Sequence, residues 1–186
     1  MSSHSRESIQ SLRHELRQKR RDIPARIRST YDRAIRQCLQ QEISSRAVRS
    51  LACYWPFDGE PDLTPLCQQL MSGSVEFALP VVSGHDDGSM EFYPWNVDSQ
   101  LKQNRYGISE PQKTISIPLA GFDMLLMPLV AYDRNGNRLG MGSGYYDRHL
   151  EPLRETQQPL RVGIAYSLQE VALLTKNDWD IPLHAV

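Results

Sequence analysis

The residues best suited to chemistry lie in Arg138-Leu139-Gly140-Met141-Gly142-Ser143-Gly144-Tyr145-Tyr146-Asp147, after the apolar run Met124–Val130 and the turn Asp133-Arg134-Asn135-Gly136. The order reads as strand, turn, glycine-rich loop and helix start. Glycines at alternate positions permit positive φ and a close backbone approach to a ligand. The unpaired N–H groups that open the next helix favour an anion. An anionic ligand, a nucleotide foremost, is therefore expected. Tight turning or strand–helix packing would use the same glycines. Neither the Walker ending Gly-Lys-Ser/Thr nor the dinucleotide spacing Gly-x-Gly-x-x-Gly is present, which disfavours ordinary P-loop enzymes and dehydrogenases.

Two further groups are chemically suggestive. Glu60 follows the turn Pro56-Phe57-Asp58-Gly59 at the end of an apolar, aromatic run, where its carboxylate could meet a ligand or simply be solvated. Arg13, Arg17 and Arg20 recur at i, i+4 and i+7, a row that is either a solvated helix face or, if docked near the glycine loop, a phosphate contact. Cys38, Cys53 and Cys67 are odd in number and lack Cys-x-x-Cys spacing, so buried reduced thiols are expected. His4, His14, His85 and His149 show no metal-ligand spacing and read as surface or helix-face residues.

Positioning these groups requires alternating elements. The pattern predicts helices over Ser8–Arg21 and from Pro24 to about Gln41, the second with an apolar stripe of Ile27, Tyr31, Ala34, Ile35 and Cys38. Strands are predicted at Val48–Trp55, Val75–Val82, Met90–Trp95, Met124–Val130 and Arg161–Tyr166. Short helices are predicted at Leu63–Met71, capped by Asp62, and at Tyr145–Leu153. Ser83–Ser89 reads as an exposed hairpin loop and Gln100–Pro118 as a long irregular connection. The alternation implies an α/β fold, a single three-layer domain with a mostly parallel sheet flanked by helices. In such sheets ligands bind beyond the carboxyl ends of strands, where Phe57–Glu60 and Arg138–Asp147 would both fall.

Composition narrows the class. With 186 residues, 40% hydrophobic, the chain can bury one core, and one domain over residues 1–186 is expected. The 21 basic and 22 acidic side chains leave a net charge of −1, so no global field attracts nucleic acid or an anionic membrane. No stretch approaches the ~20 apolar residues of a membrane span, and Met1–Gln10 lacks a signal peptide's apolar core, so a cytoplasmic location is expected.

Taken in order, several segments resemble the 5-formyltetrahydrofolate cyclo-ligase (5,10-methenyltetrahydrofolate synthetase) family. They are the Leu12-Arg13 helix, Phe57-Asp58-Gly59-Glu60-Pro61, Tyr106-Gly107-Ile108-Ser109-Glu110-Pro111, Met127 to Asp133, and Arg138-Leu139-Gly140 through Tyr145-Tyr146-Asp147. The resemblance implies ATP-dependent closure of 5-formyltetrahydrofolate to 5,10-methenyltetrahydrofolate with release of ADP and phosphate. It also implies ATP contacts from Arg13, Arg138, Leu139, Gly140, Met141, Gly142, Ser143, Gly144, Tyr145 and Tyr146, with Arg138 and Tyr146 in catalysis. Glu60, Trp55 and Tyr106 would bind the folate, Asp147 would hold Mg²⁺, and the working unit is expected to be a monomer. Each assignment has a structural alternative: Trp55 as core, Tyr145 and Tyr146 as packing or wall residues, and Asp147 as a helix cap. Trp95 and Trp179 read as packing residues.

The chain also departs from the family pattern. Met141 and Ser143 stand where the common Gly-Arg-Gly-Lys-Gly-Tyr-Tyr-Asp loop has basic residues, leaving Arg138, Arg134 and Arg148 as neighbouring cations. Ile9 replaces a frequent basic residue, and His184 replaces a carboxylate associated with the metal site, with Asp180 close by in sequence. Family members continue into a Val-x-Thr-Glu-like strand where this sequence stops at Val186, as expected of a shortened chain. Two other readings remain: a phosphosugar isomerase or CoA-transferase on a similar sheet, and a nucleotide- or folate-binding module without turnover.

Overall fold

A computed structural model describes residues 3–83 and 88–186, with side chains from residue 7 onward. Five strands form a sheet in the order β3-β2-β1-β6-β9: β1 (Ser50–Ala52), β2 (Glu76–Val82), β3 (Met90–Trp95), β6 (Met124–Pro128) and β9 (Leu160–Ile164). β1 runs parallel to β2 and β6, β6 parallel to β9, and only the edge strand β3 is antiparallel. This is a mostly parallel α/β sheet, as the alternation predicts.

The central strands read as near-continuous apolar runs because helices cover both faces. Consecutive residues alternate between two separate cores, as a side-chain period of two requires. Leu51, Phe77, Leu79, Met124 and Leu126 pack with Leu39, Ile43, Leu63 and Leu66 on one side. Ala52, Ala78, Leu125 and Met127 pack with Phe92, Phe122 and Leu150 on the other. The first core engages α2 (Ala25–Ser45) and α3 (Thr64–Met71), and the second engages α4 (Tyr145–Leu150). α1 (Ser3–Arg21) docks near the β6 end, with Leu16 buried against Val130 and Leu174.

Several expectations need correction. Gln100–Pro118 is not irregular throughout: β4 (Leu101–Gln103) and β5 (Ser109–Pro111) form an antiparallel hairpin, and Ile117 bridges Phe92. The run ending at Val130 breaks after Pro128, and Ala131–Tyr132 (β7) pairs instead with Arg138–Leu139 (β8). The predicted helix to Leu153 is α-helical only to Leu150, and Pro152 lies in a 3₁₀ turn at Glu151–Leu153. Leu63, not Asp62, sits at the N-cap of α3, although Asp62 Oδ1 accepts the Thr64 N–H at 2.9 Å.

The expected stripe of α2 is also off. Asp32, Leu39 and Ile43 are buried, whereas Ile27 and Tyr31 are exposed, as is Cys38. A buried hydrogen bond, Tyr166 Oη to Asp32 Oδ1 at 2.7 Å, turns the polar Asp32 inward and so rotates the helix away from the hydrophobic reading. Cys53 and Cys67 are buried free thiols, as expected. His4 and residues 84–87, including His85, lie outside the described side chains, while the flanking Ser83 N–H donates to Ser89 C=O at 3.0 Å.

Candidate functional site

The carboxyl ends of β1, β2 and β6 open into a cavity of about 840 Å³. Its walls include Arg13 of α1, Trp55 and Glu60 after β1, Tyr106 of the β4–β5 hairpin, and the whole of Arg138–Asp147. Every residue assigned from the sequence to ATP, folate or metal therefore lines one space. The strand ends place it where open α/β sheets bind ligands.

The glycine loop leads from β8 into α4. Gly142 has φ +106° and Gly144 φ +65°, so two of the three glycines use a backbone that L side chains rarely adopt. Gly140 does not need positive φ; its carbonyl accepts from Arg13 Nε at 2.9 Å, which ties the loop to α1. Burial lowers the Arg13 pKa, with Asp180 across the cavity opposing the shift.

Arg138 is almost wholly buried and its Nη2 donates to Asp147 Oδ1 at 2.6 Å. Its Nε is buried with no acceptor among the described residues, an unusual state for a guanidinium N–H. Asp147 Oδ1 also accepts the Ile181 N–H at 3.2 Å, so this carboxylate orients Arg138 and the C-terminal segment instead of capping α4. The Arg138 guanidinium lies 5.8 Å from the centroid of the Tyr146 ring. Burial, then the neighbouring Glu60 carboxylate, pushes the Tyr146 hydroxyl well above the usual phenol range, so it stays a proton donor.

Glu60 faces the loop from the opposite wall. Asp58 (φ +52°) and Gly59 (φ +77°) supply the two positive-φ residues of a tight turn closed by the Glu60 N–H to Phe57 C=O at 3.0 Å. Glu60 is buried, and its Oε2 accepts from Phe57 N–H at 3.1 Å. Its carboxyl is pushed up to about 7 by burial, against the pull of Arg20. Trp55 is both cavity wall and packing residue, meeting Trp95 edge-on at 5.8 Å. Trp95 is core, but Trp179 is exposed and lines the cavity, contrary to its reading as packing.

The arginine row is not a solvated face. Arg17 Nε donates to Asp58 Oδ2 at 2.7 Å, and Arg20 is completely buried. The expected cations flanking the loop do not serve the cavity: Arg134 pairs with Glu170 on the surface, and Arg148 Nη2 donates to the loop's own Ser143 carbonyl at 2.7 Å. His184 is engaged elsewhere, its Nδ1 accepting from Arg161 N–H at 2.9 Å beside β9. Asp180 is the acidic residue of the C-terminal segment that reaches the cavity. Arg17, from the arginine row, and Glu110, from a segment already singled out, also line it, as do Asn104 and Asn177, which the sequence did not mark. Only proximity in the folded chain marks those two asparagines.

Comparison with known proteins accords with this geometry. The model of the 5-formyltetrahydrofolate cyclo-ligase family matches residues 5–186. The 5-formyltetrahydrofolate cyclo-ligase of Haemophilus influenzae is 35% identical over 94% of this chain and 94% of its own length. That of Escherichia coli K12 is 38% identical over 83% and 92%. Among solved structures, 5,10-methenyltetrahydrofolate synthetase of Aquifex aeolicus superposes with a TM-score of 0.81 at 31% identity, covering 94% of this chain and 86% of that one. The Mycoplasma pneumoniae synthetase gives 0.77 at 27% identity, covering 95% and 96%. With a glycine loop and a buried glutamate set across one cavity, and a family match along nearly its whole length, this chain belongs to the 5-formyltetrahydrofolate cyclo-ligase family.

Proposed function

We propose that this protein closes 5-formyltetrahydrofolate to 5,10-methenyltetrahydrofolate at the expense of ATP, releasing ADP and phosphate, as a single-domain monomer in the cytoplasm. The observation that carries the reading is the buried Arg138, whose Nε has no acceptor among the described residues and whose side chain lines the same cavity as Glu60. A phosphoryl oxygen supplies the missing acceptor in charge-assisted form. The three unpaired thiols suit a reducing compartment.

In this reading the loop Arg138–Tyr146 and Arg13 hold the triphosphate, and Glu60, Trp55 and Tyr106 hold the folate. Glu60 has one carboxylate oxygen turned to a backbone N–H, leaving the other for paired hydrogen bonds from the pterin. The formyl oxygen attacks the γ-phosphorus, ADP leaves, N10 adds to the activated carbon and loses its proton, and phosphate departs. A formyl oxygen is a poor leaving group until it is phosphorylated. The residues' work is therefore alignment and charge neutralisation. Arg138 opposes charge on the transferring group, and the protonated Tyr146 hydroxyl donates to the oxygen that gains charge.

The donor set suits Mg²⁺. Among the described residues no group of three or more His, Cys, Asp or Glu could hold a metal, but Asp147 and Asp180 line the cavity together. Their bonds with Arg138, Ile181 and Asn177 use one oxygen of each carboxylate. Magnesium takes one or two carboxylates with phosphate oxygens and water, and would neutralise charge on the nucleotide. The test is to combine the protein with Mg-ATP and 5-formyltetrahydrofolate and follow methenyl product beside ADP. Equal amounts of both, dependent on nucleotide and metal, are expected. Binding of both ligands without product would overturn the reading in favour of a non-catalytic module.

A further inference from the structure

Arg20 is the most fully buried charged residue among the described residues, yet it is not part of the cavity wall. Its guanidinium joins three parts of the fold. Nε donates to the Asp58 carbonyl at 3.0 Å, Nη2 to Asp58 Oδ2 at 3.1 Å, and Nη1 to the Leu129 carbonyl just after β6 at 3.0 Å. Nη1 also lies 3.8 Å from Glu60 Oε1. Asp58 is gripped as well by Arg17 at 2.7 Å and Arg21 at 2.9 Å. Burial alone would raise its pKa, but these arginines hold the carboxyl below the usual range.

Packing alone does not require this arrangement. Burying a guanidinium is costly unless every donor finds an acceptor, and an apolar residue of similar size commonly serves stability as well or better. The network surrounds a turn whose non-glycine residue Asp58 has left-handed φ, a conformation kept only where its surroundings impose it. The next residue with a side chain is Glu60.

We propose that Arg20, acting through Asp58 and directly on Glu60, is a positioning residue for the folate: it fixes the Glu60 carboxylate in the cavity wall. This rests on the folate-binding role proposed for Glu60. Arg20 clamps the turn from below and so leaves Glu60 Oε1 the freedom to accept from a ligand. The other charged and titratable groups around Glu60 are Arg17 on α1, Asp58 in the turn, Tyr54 after β1 and Tyr146 on α4. Arg20 is the strongest attraction favouring the ionised form.

The test measures 5-formyltetrahydrofolate and ATP affinities separately, by equilibrium binding, across pH 6 to 9, for the wild type, Arg20→Lys, Asp58→Asn, Glu60→Gln and Arg20→Lys/Glu60→Gln. Arg20→Lys and Asp58→Asn should each weaken folate binding about 10-fold or more while ATP affinity stays within about 2-fold, the range expected when a charged hydrogen bond is lost. Relative to the wild type, the pH midpoint of folate binding should rise in Arg20→Lys, which weakens the attraction on Glu60, and fall in Asp58→Asn, which removes a neighbouring negative charge. In the Glu60→Gln background, Arg20→Lys should add little, because its effect passes through Glu60. Equal losses for folate and ATP, an unmoved midpoint or full additivity would overturn the inference and leave Arg20 merely structural. Should Arg20→Lys not fold, the near-isosteric Asp58→Asn carries the comparison of folate with ATP affinity. A wild-type protein that binds no folate would instead overturn the proposed function itself.

Discussion

Replacing Glu60 with glutamine tests the electrostatics of the site without any ligand. A carboxyl that titrates at 4.5 in an unfolded chain but at about 7 when folded keeps its proton after the unfolded chain has lost it. Between these values the folded state binds more protons than the unfolded state, so stability falls as pH rises. At about 1.4 kcal/mol per pH unit, the full cost above pH 7 is about 3 kcal/mol. Glutamine cannot ionise and escapes that cost. Urea denaturation of wild type and Glu60→Gln at pH 5 and pH 8 should therefore show the variant gaining about 2.5 kcal/mol on the wild type between the two conditions, since part of the cost is already present at pH 5. Any change in hydrogen bonding to Phe57 N–H is common to both pH values and cancels in the comparison. The same variant should bind folate poorly, a site group kept at the expense of stability. A stability difference that does not change with pH would refute the reasoning, because it would mean that burial does not raise Glu60 as the geometry demands.

Arg138→Ala should lower kcat by about 100-fold or more with a smaller effect on KM for ATP, as for loss of a donor aimed at developing charge, and steady-state kinetics will separate the two. Arg13→Ala should raise KM for ATP while leaving folate affinity unchanged, since its Nε ties α1 to the loop at Gly140. Gly142→Ala meets no atom closer than 3.7 Å but must adopt φ +106°, so about 1–2 kcal/mol of backbone strain should appear as lower thermal stability or a loosened loop in hydrogen exchange. Iodoacetamide should modify Cys38 in the folded protein and reach Cys53 and Cys67 only on unfolding, as mass spectrometry of digests will report.

Local order was plain in the amino-acid sequence, because it rests on interactions between near neighbours. The periods of two and near four placed the main strands and helices. The Asp58-Gly59 pair announced its turn, and the glycines after Arg138 announced a loop beside a cavity. The residues nominated for the two ligands all line one space, since the carboxyl ends of neighbouring parallel strands must converge.

What the tertiary structure decided was the fate of polar side chains whose partners are distant along the chain. Arg20 is an ordinary helix-face arginine by periodicity, and only the acceptors at Asp58 and Leu129 bring it inside. Asp32 likewise turns α2 because Tyr166 waits 134 positions away. Asp147, which composition could offer as a cap, is claimed by Arg138, and Glu60 becomes a perturbed acid only once water is excluded around it. Hydrophobic spacing is written into short windows of sequence, whereas desolvation and long-range hydrogen bonding exist only when the chain has closed around them.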